Sequence, residues 1–196
     1  MPVIGITGGI ATGKSAFLEC LREVSQGTFF DADHAAHELH RDAEVRELIV
    51  QQFGPEAYLA SGDLNRAAIR AIVFADPEKK RALEQILHPR IRRQWSIEAE
   101  RRRSSHDLFF ADIPLLYETG GETLCDRVVV VACSAQMQLD RLMKRMSLSK
   151  TDAEQMIASQ MPIAEKMRRA DHVVWNNGPR GVLNEQARLL VGLWEN

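Results

Sequence analysis

Residues 5–15 read GITGGIATGKS, and the reading of this stretch decides the fold. Gly8-x-x-x-x-Gly13-Lys14-Ser15 is a complete Walker A pattern. It also stands in the required context. The β-branched run VIGIT precedes it, and SAFLECLRE comes after it with Phe17, Leu18 and Leu21 at helical spacing. Strand, loop and helix in that order let backbone N–H groups close around phosphate oxygens, with the helix N-terminus adding partial positive charge. Lys14 is expected to reach the β and γ oxygens and Ser15 to bind Mg²⁺. A glycine-rich turn alone has no use for the Lys-Ser pair after it. The predicted ligand is a nucleoside triphosphate, cradled by Gly8, Gly9, Ile10, Ala11, Thr12, Gly13, Lys14, Ser15 and Ala16.

Working outward, TFF at 28–30 is a second short strand candidate that runs into the polar helix start DADHAAHELH. That strand is expected beside the P-loop strand. From about Ala35 to Arg103 the pattern is helical, with breaks expected at FGPEAYLASGDLN, ADPEKK and LHPR. Strand signals return in DLFFADIPLL, DRVVVVA and DHVVW, each apolar enough for a sheet buried on both faces. Two helical stretches, AQMQLDRLMKRM and TDAEQMIASQMPIAEKMRR, lie between the last two strands, and GVLNEQARLLVGLW reads as a closing amphipathic helix. The fold class is α/β: a P-loop NTPase-type, three-layer fold with a parallel sheet of about five strands, a helical insertion and a helical lid.

Composition narrows the remaining classes. In 196 residues, 25 Lys and Arg stand against 27 Asp and Glu, a net charge of −2, which argues against binding nucleic acid by bulk charge. The three cysteines form no C-x-x-C pair, so they are expected to be small buried thiols of a reducing compartment. The N-terminus enters a strand at once, leaving no room for a leader, and no apolar run approaches the ~20 residues that span a bilayer. A single cytoplasmic domain without a membrane partner is expected.

Walker A alone does not separate kinases from switches or motors. Neither N-K-x-D nor D-x-x-G occurs, which removes the guanine and switch motifs of a GTPase. A small-molecule kinase needs an acceptor-binding insertion, an acid near the acceptor hydroxyl and cations over the phosphates. The acid candidates are Asp31 and Asp33 in FFDADHAAHEL. Either alone reads equally well as a helix N-cap; together, after a strand, they favour function.

GITGGIATGKS, DADHAAHEL, LEQILHPRI, PLLYE, the RLMKR segment and ADHVVWNNG occur in the order seen in dephospho-coenzyme A kinases, from residue 4 to about residue 178. The chain resembles that family. The resemblance implies transfer of the ATP γ-phosphoryl group, with Mg²⁺, to the ribose 3′-hydroxyl of dephospho-coenzyme A. Asp33 would accept the hydroxyl proton. Residues 34–105 would bind the acceptor, with His88, Pro89 and Leu115 as contacts. His88-Pro89 reads equally as a helix-end turn. Residues of about 141–169 would form a lid in which Arg141 and Arg145, four apart on one helix face, clamp phosphates. Lys166 and Arg169 are weaker candidates of the same kind. Asn177, with Asn176, stands where related kinases place an adenine loop, although a plain strand-to-helix turn accounts for it equally. Where the family commonly has GIGSGK, Ala11 and Thr12 fill positions that Walker A leaves free. The implied partner is a small molecule, dephospho-coenzyme A, bound by a monomer or weak homo-oligomer. The rivals are another P-loop kinase for a nucleotide or nucleoside, and a non-catalytic NTP-binding regulator.

Three features are given less weight. Asp112 ends a strand like a Walker B acid, although the family pattern does not depend on it. His34, His37 and His40 recur without making H-E-x-x-H, and RRR at 101–103 reads as a solvated helix end.

Overall fold

β1 (Val3–Gly8) is buried along its whole length because its neighbours on both sides are strands as apolar as itself. β3 (Phe109–Asp112) lies parallel to it on one side, with Ile4 opposite Phe110. β4 (Arg127–Ala132) lies parallel on the other, with Ile6 opposite Val129. β5 (His172–Trp175) pairs with β4, and β2 (Thr28–Asp31) takes the far edge, giving the order β2-β3-β1-β4-β5. This computed structural model describes residues 2–103 and 107–195. The sheet with its helices is a three-layer α/β arrangement.

The edge place of β2 corrects one expectation. β3 stands between β2 and the P-loop strand, because the fully buried FFAD run belongs at the centre while the half-buried TFFD tolerates an edge. The strand expected from DLFFADIPLL is also shorter, turning after Asp112 at Pro114.

On one sheet face, α1 (Lys14–Val24) contributes Phe17, Leu18 and Leu21, and α9 (Arg180–Trp194) contributes Leu183, Ala187, Val191 and Trp194. They close over Ile4, Ile6, Phe110, Val129 and Val131. Phe110 is 0 % exposed, stacks on Phe29 at 4.8 Å and meets the Trp194 ring at 6.1 Å. Among the cysteines, Cys20 and Cys133 are buried, whereas Cys125 is only half-buried by residue. Burial still pushes the Cys125 thiol up to about 12.

The helices α6 (Ala135–Met146), α7 (Lys150–Ala158) and α8 (Ile163–Arg169), where a lid is expected from the sequence, belong to the same unit as the sheet. The second helical stretch of the sequence is a helix pair, divided where Pro162 cannot continue a helix and stands as the N-cap of α8.

The described residues divide into two units, Met1–Phe30 with Glu98–Asn196, and Asp31–Ile97. The second unit has its own core, in which Leu39, Val45, Ile49, Phe53, Ile69 and Ile86 are buried together. Its helices are α2 (Ala32–Leu39), α3 (Ala43–Phe53), α4 (Arg66–Ala75) and the start of α5 (Pro77–Arg103). Asp31, Asp42, Asn65 and Asp76 cap them, each carboxylate or amide oxygen accepting a first-turn N–H. The break expected at LHPR is absent, because Pro89 lies inside α5. Proline removes one ladder donor, the N–H that would reach Gln85 O; separately, the Ile86 carbonyl accepts from the Arg90 guanidinium at 3.0 Å. Of the region 34–105, residues 104 and 105 lie outside the described residues. No helix among the described residues is long and apolar enough to cross a membrane.

Phe110→Ala removes the aromatic at the centre of the first core and is expected to cost about 3–5 kcal/mol. A urea titration followed by circular dichroism checks this through the midpoint at constant slope.

Candidate active site

A loop that turns its N–H groups toward a ligand must first find partners for its carbonyls. The segment between β1 and α1 finds them in side chains from distant sequence. Lys166 Nζ donates to Gly8 O at 3.3 Å, and Gln138 Nε2 to Ile10 O at 2.9 Å. Thr12 O accepts from Asn176 Nδ2 at 2.9 Å and from Arg141 Nη1 at 3.4 Å. Gly9 O is satisfied within the loop by Thr12 N and Thr12 Oγ1, at 3.2 and 2.8 Å.

The loop's conformation demands its glycine. Gly13 is the N-cap of α1 at φ 96°, and a Cβ built there would lie 1.8 Å from Asn176 Nδ2. Ala11 also has positive φ, 60°. Lys14 opens α1 and forms an ion pair with Asp112, the last residue of β3, the two side chains being 14 % and 11 % exposed. Asp112 therefore stands at the P-loop, where its strand-end position suggests a Walker B acid. Ser15 is exposed one residue further into α1, and Ala16 is half-buried behind it.

The two α6 arginines part company. Arg141 is half-buried against the loop, whereas Arg145, one turn on, is exposed. Burial pushes the Cys133 thiol above its ordinary range, against the pull of the Arg141 guanidinium. Lys166, read from sequence as a weak clamp candidate, is 0 % exposed with its ammonium committed to Gly8 O, to Pro114 O at 3.1 Å and to Glu118 Oε1 at 2.8 Å. It is a structural tie of the loop. Arg169 is likewise committed, to Glu122 at 2.5 Å and to the face of Tyr117 at 4.3 Å. Asn176 holds the loop, and Asn177 Oδ1 accepts from Ser134 N at 2.8 Å, joining the ends of β4 and β5.

Leu115 lies in the turn after β3, its carbonyl accepting from Thr119 N and Oγ1. In the second unit, Asp31 spends a carboxylate oxygen on His34 N at 2.9 Å as the α2 N-cap, while Asp33 is exposed in the first turn. His88 is half-buried and Pro89 exposed along α5. That unit also holds a cavity of about 320 Å³ lined by His37, His40, Arg41, Asp63 and Arg66. There the Arg66 guanidinium lies 2.7 Å from His37 Nδ1. Burial, then His37 and Arg66, hold His40 below its ordinary range.

The sequence reading missed Gln138 and Gln160 altogether. Gln138 stands three residues before Arg141 and so on its helix face, a signal that was present. Gln160, in the α7–α8 turn, gave none.

No group of three or more His, Cys, Asp or Glu among the described residues is arranged to hold a metal ion. Ser15 is exposed and follows Lys14, whose partner is the carboxylate of Asp112; one hydroxyl and one carboxylate as donors suit Mg²⁺ held jointly with phosphates and water.

A P-loop strand–loop–helix with a paired lysine and a neighbouring arginine, on this sheet, defines a P-loop nucleotide-binding fold. The dephospho-CoA kinase family model matches residues 2–180, and the chain belongs to that family. A relative from Listeria monocytogenes, named dephospho-CoA kinase, is 44 % identical over 177 residues, covering 89 % of this chain and 88 % of its own. The solved structure of dephospho-CoA kinase from Campylobacter jejuni is 25 % identical with a TM-score of 0.69, covering 98 % and 96 %. The structure of TT1252 from Thermus thermophilus is 34 % identical with a TM-score of 0.78, covering 98 % and 97 %.

Gly13→Ala must both hold an L-residue at positive φ and displace Asn176. It is expected to lose nucleotide binding by at least tenfold, with about 1–2 kcal/mol of stability. Calorimetric titration with ADP and a melting curve measure the two.

Proposed function

We propose that this chain transfers the ATP γ-phosphoryl group to the ribose 3′-hydroxyl of dephospho-coenzyme A, the last step of coenzyme A synthesis. The observation that carries the reading is the P-loop, with Lys14 paired to Asp112, in a chain of the dephospho-CoA kinase family.

The assignment of steps rests on the chemistry of each residue. Amides of residues 8–16 receive the phosphates, and Lys14 moves its charge from Asp112 to their oxygens. Arg141, already at the loop, meets the charge that spreads over the transferring group; its planar donors suit that work. Arg145 supports it from one turn further along. Asp33 accepts the proton of the attacking hydroxyl, since Asp31 is engaged as a cap. Ser15 would hold Mg²⁺, which would supply neutralisation of phosphate charge. His88, Pro89 and Leu115 contact the acceptor, and Asn177 lies on the adenine side. α6–α8 act as the lid that excludes water from the phosphates. The reaction belongs in the cytoplasm, and none of these roles requires a second copy of the chain.

The test is direct. With ATP, Mg²⁺ and dephospho-coenzyme A, mass spectrometry should show an acceptor heavier by one phosphoryl group. Product from a nucleoside or nucleotide acceptor alone would sink the reading. Lys14→Ala should abolish transfer in a folded protein. Asp33→Asn keeps the side chain's size and should change stability by no more than about 1 kcal/mol, while turnover falls roughly 10²–10⁴-fold. Near-normal turnover would return the role to Asp31 or Asp112. Arg141→Ala should lower kcat more than Arg145→Ala, because only Arg141 reaches the loop.

A further inference from the structure

Ile10 is held on both sides. Its N–H donates to Gln160 Oε1 at 2.9 Å, and its carbonyl accepts from Gln138 Nε2 at 2.9 Å. Gln138 is 4 % exposed, so its carboxamide is fixed between helix and loop. The next residue, Ala11, stands at φ 60°, a conformation that side chains with a Cβ disfavour.

In a trans peptide, a carbonyl and the N–H after it point in opposite directions. No cis bond occurs among the described residues. By holding Ile10 O, Gln138 therefore turns the Ala11 N–H to the other side of the loop. Gln160 fixes the preceding peptide and removes the freedom to rotate about Ile10. Both holders are neutral, so they add no charge that would compete for phosphate or repel it.

We propose that Gln138 and Gln160 are positioning residues that keep Ala11 in its left-handed conformation with its N–H aimed at a phosphate oxygen of the nucleotide. The phosphate affinity of the loop is thereby set from α6 and the α7–α8 turn. This rests on the nucleotide reading above.

Gln138→Met and Gln160→Met keep the side-chain volume and remove the carboxamide. Each should raise the Kd for ADP, measured calorimetrically, by about tenfold, the effect of misdirecting one hydrogen bond to a charged group. Ala11→Gly supplies the discriminating arm, because glycine takes positive φ without a Cβ penalty. In its background either methionine substitution should cost less affinity than in the unmodified chain. An unchanged Kd in both variants, even with a lowered Tm, would reduce the glutamines to packing and overturn the proposal. An equal loss with and without Ala11→Gly would overturn the assignment to Ala11. Failure of the unmodified chain to bind ADP would instead overturn the nucleotide reading, and this inference with it.

Discussion

The structure turns on a backbone problem: a short loop must present several N–H groups to one ligand, leaving its carbonyls to be satisfied elsewhere. Buried backbone acceptors without partners are costly, about 1–3 kcal/mol each. This protein satisfies them with side chains rather than with secondary structure. Lys166, Gln138, Asn176 and Arg141 come from α8, α6, the end of β5 and α6 again, and all donate to P-loop oxygens. The parallel sheet makes this possible, since the loop leaves β1 at the centre and β4 and β5 lie in order beside it. Fold and site are thus one arrangement, and a change in any of these donors is felt in the loop.

Two lysines show how environment decides a role that residue type leaves open. Lys14 and Lys166 both lie close to Gly8 or its loop, and both pair with a carboxylate. Lys14 keeps some exposure and can exchange its carboxylate for phosphate oxygens. Lys166 has three acceptors for its three protons and no access to water. One is a group in waiting and the other a tie. No spacing rule separates them, because the difference lies in what α8 packs against.

Local chemistry was legible in the sequence and long-range chemistry was not. The P-loop, the helix caps and the apolar strands each depend on residues within a few positions, so the Walker pattern and Asx residues before helices could be read directly. The place of β2 at the sheet edge depends on a competition with β3, a strand far along the chain, that no local pattern records. Pro89 misled for a related reason: proline opposes a helix locally, yet α5 continues through it. Gln160 was invisible because a glutamine in a turn ordinarily faces water, and Gln138 was passed over for the same reason although it shares the Arg141 face of α6.

Asn176 occupies the space into which any side chain at position 13 would project. A loop at the start of the sheet is therefore completed by a residue just past its last strand. During synthesis β1, the loop and α1 emerge early, but the Thr12 carbonyl has no carboxamide to meet until Asn176 has been made. A nascent chain accordingly carries an unfinished loop until β5 has left the ribosome, and a product truncated before β5 keeps the loop without that donor.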